Sequence, residues 1–120
     1  MENELTKRLD ALADVDYDTM DGNETQHGCQ VEINYDGEFT VWLTDECCSG
    51  HTAVAVEIVD GEYTDNYLKT GPSYNPFWGK SKNEFSVRGA TLDEAVSKLE
   101  AMVAILKDTP EARLIFTWDD

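Results

Sequence analysis

Leucines at positions 5, 9 and 12 recur at the spacing of one helix face, with Glu4 one turn before Arg8, so residues 3 to 13 are expected to form a short amphipathic helix. The periodicity then lapses, and ADVDYDTMDGNETQHG, residues 13 to 28, reads as an acidic loop. From Cys29 to Thr44, CQVEINYDGEFTVWLT, the period becomes two, the mark of a pair of strands around a turn. Within NYDG, Gly37 takes the left-handed position of a type I turn with a bulge, a three-residue loop that pairs Ile33 with Phe39, Val31 with Val41 and Cys29 with Leu43. In that register the odd-numbered apolar residues share one face, whereas a two-residue Asp36-Gly37 turn would split them between faces. The other face then carries Gln30, Glu32, Asn34, Glu38, Thr40, Trp42 and Thr44.

A third strand, TAVAVEIV, turns at Asp60-Gly61 into a fourth, EYTDNYL, and EFSVR is the fifth. Between them lies KTGPSYNPFWGKSKN, a loop rich in proline and aromatic residues. Thr91 and Glu94 form a capping box, and Leu92, Val96, Leu99, Val103 and Leu106 make one stripe along the helix after it. DTP breaks that helix, and ARLIFTW is a last strand. The order predicts a single α+β domain over residues 1 to 120, with an antiparallel sheet of about five or six strands. The N-terminal helix and the longer C-terminal helix are expected to pack on one face of it.

The strand and helix entry FSVRGATLDEAVSKLEAMV resembles that of HicB-type antitoxin domains, which also place a small sheet beside a capped helix. The resemblance covers about twenty residues. The acidic first half and the long aromatic loop depart from that pattern, and no DNA-binding helix-turn-helix or ribbon comes after it.

Charge changes the picture more than composition does. At 41% apolar, with three Trp, five Tyr and four Phe, the chain can fill one core. Its net charge is −16, and the acid is segregated: residues 1 to 66 hold seventeen Asp and Glu against two basic residues, and residues 67 to 120 hold eight against seven. No Lys or Arg occurs from Leu9 to Leu68. Such a chain is repelled by nucleic acid and by anionic membranes, so direct binding to either is not expected. No apolar run approaches the length of a membrane span, and the N-terminus lacks the apolar region of a signal peptide, so a cytoplasmic location is expected.

Candidate chemistry is sparse. DECCSGH, residues 45 to 51, and HGC, residues 27 to 29, could bring His27, Cys29, Cys47 or Cys48, and His51 together on zinc. Adjacent cysteines on a strand point apart, however, and the usual two-to-four-residue ligand spacing is missing, so no metal and no cofactor are expected. Within DVDYDTMDGNET, Thr19 stands where a calcium loop needs glycine and Thr25 where it needs the bidentate glutamate. WGKS has the end of a phosphate-binding loop, but Tyr74 replaces the required glycine. No serine lies in a nucleophile elbow, so no catalytic residue is assigned and no enzyme is expected.

Two functional readings remain. The first is a non-catalytic inhibitor whose acid imitates nucleic-acid charge and occupies a basic nucleic-acid-binding enzyme or effector, of the anti-restriction or anti-CRISPR type. Its expected contacts are Asp14, Asp16, Asp18, Asp21, Glu32, Glu38 and Trp42. The alternative is a small-molecule or nucleotide-binding domain that uses the loop 69 to 83, with Tyr74, Phe77, Trp78, Lys80 and Lys82 as the ligand site.

Overall fold

The computed structural model describes residues 4–18, 25–44, 51–69, 77–79 and 81–118. The protein is α+β. Helix α1 (Glu4–Ala13) buries Leu12 and packs Leu5 and Leu9 against the core, as its leucine spacing requires. Where a loop was expected the chain instead makes β1 (Asp16–Asp18) and β2 (Thr25–His27), paired antiparallel. The alternation Asp14, Val15, Asp16, Tyr17 carries the strand signal: Val15 is buried and Tyr17 packs on the core, while Asp14 and Asp16 face solvent.

Next come β3 (Gln30–Tyr35) and β4 (Phe39–Thr44), the expected hairpin. Its register differs from the expected one by two residues: Ile33 pairs with Val41, Val31 with Leu43 and Tyr35 with Phe39. A shift of two preserves the parity, so the odd-numbered residues still share a face. The three-residue turn moves one position along the chain, to Asp36, Gly37 and Glu38, with Gly37 left-handed at φ 99°. β5 (His51–Val59) and β6 (Glu62–Lys69) are joined by Asp60 and Gly61 alone, and both have positive φ, as the tight turn that matches strand twist requires. β7 (Phe77–Gly79) pairs with β6, and β8 (Ser86–Gly89) leads into α2 (Leu92–Lys107). The Thr91 side chain accepts the Glu94 N–H at 3.1 Å, and the Glu94 carboxylate accepts the Ala90 N–H at 3.3 Å. β9 (Ala112–Trp118) is the last element among the described residues.

Among the described residues these strands form two sheets rather than one. A six-stranded sheet has the order β2-β1-β9-β5-β6-β7, and a three-stranded sheet the order β3-β4-β8. The larger sheet is mixed, because β1 runs parallel to β9. The sheets are joined through Phe85, whose N–H donates to Ala53 and whose carbonyl accepts the Leu43 N–H, both at 3.0 Å. One core spans both: Val41 and Leu43 of β4, Ala53 and Ala55 of β5, Leu114 and Phe116 of β9, and Val96, Leu99 and Val103 of α2 are all buried in it. Arg8 fastens α1 to α2 by a fork onto Glu100 at 2.7 and 3.1 Å, a bond to Ser97 at 2.9 Å and an ion pair with Asp93. Among the described residues no helix is long and apolar enough to cross a membrane.

Two glycines separate backbone freedom from close approach. A Cβ on Gly37 would meet nothing within 4 Å, so only its left-handed backbone opposes a side chain. A Cβ on Gly89 would lie 2.6 Å from the Ala95 nitrogen and 3.0 Å from the Thr91 carbonyl oxygen, both backbone atoms of the α2 entry. Gly37→Val is expected to cost about 1 kcal/mol or more through strain. Gly89→Ala is expected to cost about 2 kcal/mol by forcing β8 and α2 apart. Urea denaturation of both variants checks this, and equal, negligible shifts would contradict the packing at Gly89.

Candidate functional site

The outer face of the three-stranded sheet is built in cross-strand rows. Glu32, Trp42 and Ser86 form one row, and Asn34, Thr40 and Arg88 the next. Trp42 is half-buried and Glu32 exposed, so the indole lies beside a carboxylate with part of its ring area open to solvent. Thr44, at the root of the face, is buried. At the hairpin tip Arg88 reaches Glu38 at 2.8 Å and Asp36 at 3.6 Å, so Glu38 is engaged within the molecule.

Asp16 and Asp18 lie on β1 of the larger sheet, and Asp14 lies just before it. Asp14 and Asp16 are exposed, and Asp16 lies 2.9 Å from the Nδ1 of His27 on β2. Asp18 is buried. Its carboxylate accepts hydrogen bonds from the Tyr63 and Thr25 hydroxyls, both at 2.7 Å, with the Arg113 guanidinium 3.6 Å away. A buried carboxylate held this way is satisfied by the fold rather than left open to a partner. Asp14, Asp16 and Asp18 line a groove of about 610 Å³, and Lys107, Thr109 and Arg113 line it as well. The structure therefore gathers three of the expected acidic contacts at this groove and places Glu32, Glu38 and Trp42 on the separate sheet. Asp21 lies outside the described residues.

In the aromatic loop, Trp78 packs against the core opposite Leu68, and the Lys69 side chain lies across Gly79. Lys82 is exposed. Phe77 contributes backbone to β7, while Tyr74 and Lys80 lie outside the described residues. Trp78 thus closes the core edge in the described part of this loop.

For the cysteine-histidine cluster, Cys29 is buried in the core and His27 stands in solvent, so these two side chains do not converge. Cys47 and Cys48 lie outside the described residues. Among the described residues no group of three His, Cys, Asp or Glu side chains is placed to hold a metal. Burial pushes the Cys29 thiol up to about 11, away from the thiolate that metals and electrophiles require.

Sequence reasoning missed the cations that enter the acidic half. Arg88 and Arg113 come from beyond residue 66, and pairings across the chain bring them against Asp36, Glu38 and Asp18. No local signal announces such contacts. No family model, curated protein or solved structure matches the chain.

The two kinds of acid should separate on substitution. Asp18→Ala removes the acceptor of the Tyr63 and Thr25 hydroxyls and the carboxylate beside Arg113, and is expected to cost about 2 kcal/mol. Asp14→Ala, at an exposed position, should stay within about 0.5 kcal/mol. Thermal denaturation compares them. The raised Cys29 thiol stabilises the fold below about pH 9, where both folded and unfolded forms are protonated. As pH rises toward 11 the unfolded thiol ionises first, so stability should fall across that window and Cys29→Ser should flatten the fall.

Proposed function

We propose that this protein is a non-catalytic interaction protein that imitates nucleic-acid charge and blocks a basic nucleic-acid-binding enzyme or effector. The observation that carries the reading is the charge itself: −16 in 120 residues, with no Lys or Arg from Leu9 to Leu68. Solubility requires far less. A duplex as long as the protein's 43 Å axis carries about 25 phosphates at one per ~1.7 Å, so the two charge densities are comparable within a factor of two.

The reading places contact at Asp14, Asp16, Glu32 and Trp42, which are exposed or half-exposed. Asp18 and Glu38 shape the surface from within it, through Arg113 and Arg88. The alternative, a nucleotide held by the loop 69 to 83, draws less support because Trp78, one of its aromatic residues, is packed against the core.

Proteins retained on the immobilised protein from a cell lysate at low salt should be released by duplex DNA and by raised salt. Retained proteins indifferent to both would overturn the reading. With a partner in hand, Asp14→Lys, Asp16→Lys and Glu32→Lys together should slow association about tenfold and weaken its salt dependence. Trp42→Ala should instead speed dissociation about tenfold. Lys82→Glu should change little, and a loss of binding there with silent acidic-face variants would favour the loop as the site.

A further inference from the structure

We propose that the outer edge of β3 is a docking edge for an extended, basic segment of the partner, which adds to the three-stranded sheet as a fourth strand. The inference rests on the mimic reading for the partner's charge and on separate geometry for its shape. β3 is a terminal strand of its sheet, and among the described residues only β4 pairs with it. Terminal strands left open are templates for strand addition, and natural proteins usually guard them with lysine, proline or a bulge. Gln30–Tyr35 has none of these: it pairs continuously with β4 and contains neither Lys nor Pro.

The side chains along this edge suit such a strand. Val31 packs against the core, but Ile33 and Tyr35, on the same face, are 40% and 62% exposed. The opposite face offers Glu32 beside half-buried Trp42. An incoming strand of alternating character would lay apolar side chains beside Ile33 and Tyr35 and basic ones beside Glu32. A second copy of this chain is the poorer occupant. Strands in a sheet lie about 4.8 Å apart, and self-pairing would bring two copies of Glu32 together along a strand that carries no lysine or arginine.

The test uses the intact protein and two capped octapeptides, acetyl-(Lys-Val)4-amide and the same peptide N-methylated at every residue. The second keeps charge and side chains but has no N–H on any of its eight residues. The first is expected to bind at least tenfold more tightly and to slow hydrogen exchange at alternate amides within residues 30 to 35. Ile33→Lys with Tyr35→Lys should lose at least tenfold in affinity, whereas Glu4→Gln with Asp10→Gln, an equal change of charge on α1, should lose much less. Equal affinity for the two peptides with unchanged exchange in β3 would overturn the docking edge and leave the charge-mimic reading standing. Binding of neither peptide would also overturn the docking edge, and the mimic reading would then rest on the DNA displacement result alone. Dimerisation through β3, seen as concentration-dependent protection of the same amides without peptide, would assign the edge to a second copy and overturn the proposal.

Discussion

Burial of one apolar seam, running from Leu99 and Val103 of α2 through Val41 and Leu43 to Ala55, Leu114 and Phe116, is the interaction on which the rest of this molecule depends. Net charge of this size works against any compact state through self-repulsion, so the core must hold a chain that its own surface tends to expand. The seam does so by drawing on both sheets and both helices. Phe85 makes the join, buried to 2% exposure and hydrogen-bonded on either side to Leu43 and Ala53. Because a continuous core lies under both sheets, the acidic groups can gather on the outside without being needed for cohesion.

The chain's three arginines occupy the joints of that arrangement. Arg8 ties α1 to Glu100 and Asp93 on α2, Arg88 ties β8 to Asp36 and Glu38 at the hairpin tip, and Arg113 approaches Asp18 from β9. Each links the acidic first half of the sequence to the nearly neutral second half. Solvent-exposed ion pairs contribute little to stability, commonly about 0 to 1 kcal/mol. Their effect here is to set which carboxylates are paired within the molecule. The Arg8 guanidinium gains further basicity from its bonds to Glu100 and Asp93, so its own charge is permanent. What remains outward, Glu32 and Asp14 among it, is the surface on which the proposed recognition depends.

The acidic wall at Asp14 and Asp16 and the hairpin face at Glu32 and Trp42 are close in sequence yet belong to different sheets. Gly28, left-handed at φ 84°, turns the chain from β2 to β3, with its N–H donated to the Val15 carbonyl and that of Cys29 to the Ala13 carbonyl. A single short connection therefore sets the two surfaces relative to each other. It also makes β2 and β3 consecutive terminal strands of their respective sheets.

Local patterning was enough to read α2 with its Thr91 cap, the Asp60-Gly61 turn, the strand Ala112–Trp118 and the face of each hairpin residue, because caps, turns and side-chain parity are properties of a few adjacent residues. The same locality hid every feature set by contacts distant in sequence. The hairpin register is two residues from the expected one because parity is blind to a shift of two, and neighbouring packing had to choose. β1 escaped notice because its alternation spans only four residues inside an acidic stretch, and its strand form rests on pairing with β9, almost a hundred residues away. The charge asymmetry, the basis of the functional reading, is wholly a property of the sequence. Which carboxylates are spent on Arg88, Arg113 and Tyr63, and which are left facing solvent, only the tertiary structure decides, because an ion pair is chosen by distance in space and the chain carries no local record of it.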